Sequence, residues 1–194
     1  PQAPSIAAAR MAATCGVGIN NAMATGINML GDIHGGAGEQ CAELFYEISL
    51  RIDNGATFEK AIQEALREWE SGNGKIISGF GHRFHKPIDP RAPRLLELVR
   101  LAAKENIVSG KYADIAEAIQ SHLSIKKDIA MNIDGATAVI FCELGFPAPL
   151  SRGLFCLSRS VGILSHAWEQ IEQGGRNKGP MQPKYLPKYI LKNT

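Results

Sequence analysis

Apolar residues recur at helical spacing along most of the chain. Phe58, Ile62, Ala65, Leu66 and Trp69 fall on one face of an amphipathic helix. Thr57 is placed to start it and Ser71-Gly72-Asn73-Gly74 to end it. Leu95, Leu96, Val99, Ala102 and Ala103 make a second stripe, with Pro90 and Pro93 where a first helical turn tolerates proline. Tyr112, Ile115, Ala116, Ile119 and Leu123 make a third. Asp134 to Leu144 reads as a buried helix closed by Gly145 and Pro147, and Leu150 to Ile171 as a long helix ended by Gly174-Gly175. Ala7 to Leu30, rich in Ala, Met and Gly, suits one close-packed central helix. No stretch alternates as a strand does, so the predicted class is all-α. The Pro- and Lys-rich tail from Arg176 reads as an extended arm.

Composition narrows the function classes. A chain of 194 residues can bury one good core, or two lobes that share one. Its 45% hydrophobic and 21% charged content is that of a soluble globular protein. A net charge of +2 gives no reason to expect nucleic acid or an anionic membrane surface as partner. The longest apolar runs, such as Ala136–Cys142, are too short to span a bilayer. Cys15, Cys41, Cys142 and Cys156 show no CxxC pairing and sit in apolar stretches, as buried thiols of a reducing compartment do. With no secretory signal, the expected location is cytoplasmic. The chain opens on Pro1 rather than Met, as a processed or truncated piece would.

Three segments carry candidate chemistry, each setting one proton-handling side chain beside glycine. They are Gly31-Asp32-Ile33-His34-Gly35-Gly36-Ala37, Gly79-Phe80-Gly81-His82-Arg83 and Asn132-Ile133-Asp134-Gly135. About fifty residues separate His34 from His82 and His82 from Asp134, so only a fold brings them together. Two imidazoles and a carboxylate can hold an enol oxygen, move a proton on carbon and move one on a hydroxyl. Each segment also has a structural explanation. His34 reads as incidental to a helix–helix turn; a dinucleotide loop fits less well, since no strand precedes the glycines. His82 and His85 form an HxxH that lacks the spacing, acidic residue and third ligand of a zinc helix, so no metal is expected. Arg83 and Lys86 suit an anionic, phosphate-bearing ligand or a solvated basic loop. Asp134 reads as a helix N-cap or as a catalytic carboxylate oriented by the same helix end. Arg159, amid apolar and small residues, needs a carboxylate partner, from a ligand or from the protein. Arg91 follows a proline turn, and His122 and His166 read as structural.

Taken in order, these segments resemble the citrate synthase family. Asp32-Ile33-His34-Gly35-Gly36-Ala37-Gly38-Glu39 is similar to its first histidine motif. Gly79–Arg83 followed by Asp89-Pro90-Arg91-Ala92 is similar to its second, Asn132-Ile133-Asp134-Gly135 to its aspartate motif, and Ser158-Arg159-Ser160-Val161-Gly162 to its arginine helix. The resemblance covers nearly the whole chain. It implies an all-α dimer with an active-site cleft between a large and a small domain. The small domain would span 36–145, the large domain 1–35 and 146–194 with the C-terminal arm, and an N-terminal part would be missing. By position, His34 would hydrogen-bond the thioester carbonyl, Asp134 would move the proton on the acetyl carbon, and His82 would serve the hydroxyl or carbonyl oxygen. Arg91, Arg159 and Arg176 would bind carboxylates, the last from across a subunit boundary. Gly79, Phe80, Gly81 and Lys86 would face coenzyme A. No tightly bound cofactor is implied; the coenzyme A thioester is substrate or product, with oxaloacetate or a related 2-oxoacid.

The sequence departs from the family pattern in places. Gly38 stands where synthases usually show Asn, and Gln173–Pro180 can be aligned so that either Arg176 or Gly179 meets the family's terminal arginine. Asn-Ile-Asp-Gly, with the short Ser-Arg-Ser-Val-Gly block, is most similar to citryl-CoA lyases and to the citrate-synthase-like module ending ATP-citrate lyase. The implied reaction is cleavage of citryl-CoA to acetyl-CoA and oxaloacetate. Condensation by a citrate or 2-methylcitrate synthase is the alternative, and a non-catalytic helical module a further one.

Overall fold

A computed structural model of the chain describes residues 3–125, 129–177, 179 and 183–185. Among the described residues there are eight α-helices: α1 (Pro4–Thr14), α2 (Ile19–Asn28), α3 (Ala37–Asp53), α4 (Phe58–Asn73), α5 (Arg91–Lys104), α6 (Lys111–Ser124), α7 (Ile133–Glu143) and α8 (Ala148–Glu172), followed by a 3₁₀ turn at Pro183–Tyr185. No strand occurs among the described residues; two isolated bridges pair Gly31 with Gly35 and Phe80 with Met131. No helix among them is long and apolar enough to cross a membrane. The C-terminal arm expected from the sequence falls largely outside the described residues.

The chain divides into two units. Residues 29–160 form the first, and residues up to Asn28 with those from Val161 form the second. In the 29–160 unit α7 is the central helix. Gly135, Ala136, Ala138, Val139 and Cys142 are all buried, and their small size lets α3 and α5 pack closely on it. Leu44, Phe45 and Ile48 of α3, Ile115 and Ile119 of α6, and Met131 complete this core. The α4 stripe behaves as its spacing predicts: Ala61, Ile62, Ala65 and Leu66 are buried, and the Thr57 hydroxyl accepts from Lys60 N. Glu143, at the end of α7, accepts from the backbone N–H groups of Ser109, Gly110 and Tyr112, so it shares the capping of α6 with the Ser109 hydroxyl, which accepts from Lys111 N.

In the other unit, Ala9, Ala22, Ile163 and Ala167 make a small core. Here the sequence reading needs correction. The single helix expected over Ala7–Leu30 is two, broken at Gly16-Val17-Gly18, where Gly16 takes a φ of +82° that side chains rarely adopt. The break also exposes Cys15, so the thiols expected to be buried are so only at Cys41 and Cys142, with Cys156 half-buried.

Candidate active site

The start of α7 organises the site. Asn132 is the N-cap: its Oδ1 accepts from the backbone N–H of Asp134 at 2.9 Å and of Gly135 at 3.2 Å. The capping role available to Asp134 from sequence thus belongs to Asn132, and Asp134 sits one residue inside the helix with its carboxylate unspent. No hydrogen bond reaches that carboxylate from the described residues. Burial pushes the Asp134 carboxyl above the usual carboxylate range, against the pull of Arg91, Arg159 and His82, while Asp89 adds to the rise.

Short antiparallel pairing ties the His82 segment to this helix end. Asn132 N donates to Gly79 O at 3.0 Å and Gly81 N to Ala130 O at 2.7 Å. Asn132 Nδ2 donates to Gly81 O at 2.6 Å. The approach is close enough to need glycine on both sides. A Cβ at Gly79, whose φ is +87°, would lie 2.5 Å from Cys41 Sγ and 2.9 Å from Gly135 Cα. A Cβ at Gly135 would strike Gly79 O. His82 follows directly. Its Nδ1 accepts from Phe84 N at 3.1 Å and His85 N at 3.0 Å. Backbone amides can only donate, so Nδ1 holds a lone pair and the neutral ring carries its hydrogen on Nε2.

Asp89 fixes Arg91. Its Oδ1 accepts from Arg91 N and Nε, and its Oδ2 from Arg91 Nη2 at 2.7 Å and from Ile133 N at 3.0 Å. The Arg91 guanidinium holds the Asp89 carboxyl well below the usual range, opposed by burial. Asp89 is 1% exposed while Arg91 is 47% exposed, so the arginine keeps an open edge for a ligand.

His34 lies in the loop before α3, where Gly31 N donates to its carbonyl at 3.0 Å. Asp32, two residues earlier, pairs with Arg152 at 2.5 Å. Burial, with the Arg159 charge adding to it, pushes the His34 imidazole below its usual range and favours the neutral ring. The Arg159 guanidinium lies 4.8 Å over the Phe155 ring. Gly38, in the first turn of α3, faces the start of α7: a Cβ there would meet Asp134 O at 4.0 Å. Two helix N-termini therefore converge near Asp134, an arrangement that favours anions.

His82, Arg91, Arg159 and Asp134 thus share one electrostatic neighbourhood, which His34 joins through Arg159. Of the residues expected to face coenzyme A, Gly81 and Lys86 line a cavity of about 370 Å³ together with His82, His85 and Asp89. Phe80 instead packs in the core, and Gly79 is buried with its carbonyl already bonded. Arg176 is exposed and belongs to the other unit. Asn132 and Asp89 were not singled out by sequence. Asn132 was legible as a capping residue two before Asp134, and Asp89 as the carboxylate nearest Arg91.

A family model described as "Citrate synthase, C-terminal domain" matches residues 2–184. A citrate synthase of Saccharolobus solfataricus is 33% identical over 165 residues, 82% of this chain and 41% of that protein. The chain spans about a third to two fifths of the length of the curated relatives it matches. Among solved structures, citryl-CoA lyase from Hydrogenobacter thermophilus matches with a TM-score of 0.77 and 27% identity over 98% of this chain and 71% of that one. A ternary complex of citrate synthase from Thermoplasma acidophilum with carboxymethyl coenzyme A and oxaloacetate matches at 0.70 and 27% identity, over 95% of this chain and 50% of that one.

Proposed function

The chain belongs to the citrate synthase family, and from that premise we propose that it carries the acid–base centre of a citryl-CoA lyase, releasing acetyl-CoA and oxaloacetate. The observation that carries this reading is Asp134: a largely buried carboxylate with unspent oxygens, in the charge field of His82, Arg91 and Arg159. Arg91, steadied by Asp89, and Arg159 bind the substrate's carboxylates through charge-assisted hydrogen bonds. As the bond between the acetyl methylene and the carbinol carbon breaks, its electron pair moves into the thioester as an enolate. Neutral His34 holds the enolate oxygen, and Asp134 delivers a proton to the former methylene carbon. A carboxyl pushed above its usual range is suited to carrying that proton. His82 meets the hydroxyl oxygen through Nε2. Nε2–H donates a hydrogen bond to that oxygen and orients it, and the proton the hydroxyl loses as the carbonyl forms leaves to solvent, matching the one Asp134 gives to carbon. The chemistry uses only the chain's own side chains, and Lys86 lies beside the cavity to meet coenzyme A.

Condensation by a citrate synthase is the second reading, favoured by the 33% identical relative of that name. Synthetic citryl-CoA separates the two. A lyase yields oxaloacetate, read with malate dehydrogenase, and no free thiol; a synthase hydrolyses the thioester and yields citrate and free thiol. Neither product from the full chain would overturn both.

The reading includes a homodimer. Val161, Leu164, Trp168 and Ile171 recur at helical spacing along α8 and are exposed, Val161 by 67% and Trp168 by 53%. Sedimentation is expected to give twice the chain mass, and Trp168→Glu the single mass; a single mass for the wild type would overturn the dimer.

A further inference from the structure

The two histidine segments are joined by a side chain that the chemistry above does not use. Gln40 lies in the first turn of α3 and is half-buried. Its Nε2 donates to the Asp32 carbonyl at 3.1 Å, and its Oε1 accepts from the Ser78 hydroxyl at 2.7 Å. A backbone carbonyl can only accept, so the amide nitrogen must face Asp32 and the oxygen Ser78. Asp32 is two residues before His34, and Ser78 is four before His82. A second contact runs the same way: the next residue, Cys41, packs under Gly79 so closely that a Cβ there would lie 2.5 Å from its sulfur. One turn of α3 therefore grips both segments.

We propose that Gln40 is a positioning residue that locks the His34 loop to the turn leading into His82, so that the two imidazoles hold one fixed spacing. Its effect on turnover rests on the function proposed above. Displacing a catalytic group by about 1 Å costs roughly 100-fold in rate. Both segments have other anchors, including Arg152 on Asp32 and Asn132 on Gly79, so losing the bridge loosens the spacing without unfolding the unit.

The test compares Gln40→Leu, Ser78→Ala and the double variant in the full chain. With citryl-CoA, Gln40→Leu is expected to lower kcat about 10- to 100-fold, with KM changed less than about threefold. The double variant should be no slower than Gln40→Leu, because both changes act through one bridge. The unfolding midpoint should stay within about 2 °C, which a merely structural role would not allow. Imidazole NMR signals, assigned with His34→Gln and His82→Gln, are read in parallel. Gln40→Leu is expected to move the signals of both histidines. An unchanged kcat, or losses that multiply in the double variant, would overturn the proposal. If the wild-type chain turns over no citryl-CoA, the proposed function fails, and the NMR signals decide the bridge alone: movement of both rings upholds it, and movement of His34 without His82 overturns it.

Discussion

Replacing Asp134 with Asn is expected to slow carbon–carbon cleavage about 10²- to 10⁴-fold, the usual worth of a positioned general acid or base, while making the protein more stable at neutral pH. The two effects share a cause. Burial raises the Asp134 carboxyl in the folded protein above its unfolded value, and the nearby cations offset that only in part. A raised carboxyl binds its proton more tightly when folded. Its ionised form therefore costs nothing in stability below the unfolded pKa, costs more as pH rises towards the folded value, and costs a constant amount above it. Asn keeps the shape and cannot ionise, so the variant escapes that cost. Urea denaturation at pH 7 should show the variant unfolding at higher denaturant than the wild type, and at pH 4 the difference should shrink. A variant less stable at pH 7 would contradict the assignment of Asp134 as a strained, ready acid. Exchange of the acetyl-CoA methyl protons with deuterated solvent reads the chemical side of the same variant, and should be lost with it.

The largest effect on stability is expected at Asp89. Removing it as Asp89→Ala leaves the Ile133 N–H without an acceptor and Arg91 without its clamp. The cost should be about 2–3 kcal/mol at pH 7, below that of breaking a fully buried pair, because water can reach the half-exposed guanidinium. The pH dependence has the opposite sign to that of Asp134. Asp89 is lowered in the folded state, chiefly by its hydrogen bonds from Arg91. Its contribution is full above the unfolded carboxylate pKa and is lost as pH falls through the folded value. The gap between the denaturation midpoints of wild type and variant should therefore be small in strong acid, widen as pH rises from about 2 to about 5 across the unfolded value of about 3.9, and stay level above that. A constant gap across that range would show that Asp89 acts by shape rather than by charge. With Arg91 released, the KM for the 2-oxoacid or citryl portion should rise more than kcat falls.

The helices were legible where polar and apolar residues alternate cleanly. In α4, Thr57 and the stripe from Phe58 to Trp69 mark both the start and the buried face. The stripes named from sequence omit α3, although Leu44, Phe45 and Ile48 make it a main wall of the core; its start, at Gly36-Ala37-Gly38, is glycine-rich and carries no apolar stripe. The merging of α1 and α2 into one expected helix has a simple origin: Gly16 and Gly18 are tolerated in helices, and only a left-handed φ at Gly16 ends this one. At the site, His34, His82 and Asp134 could be named because glycine flanks them. What sequence could not reveal was the company each keeps. That the Asn132 amide reaches Gly81 and that Asp89 reaches from Arg91 to Ile133 depend on residues 51 and 44 positions apart meeting in three dimensions, and Phe80 turns into the core beside them.

The claim that Asp134 and its cationic neighbours form one centre for carbon–carbon chemistry is tested most directly by a single-turnover experiment. Wild type and Asp134→Asn, in excess, are mixed with citryl-CoA, and oxaloacetate, acetyl-CoA and free thiol are followed together. The account predicts oxaloacetate and acetyl-CoA in equal amounts from the wild type, without thiol, and at least about 100-fold slower release from the variant. Equal rates from the two proteins would contradict it.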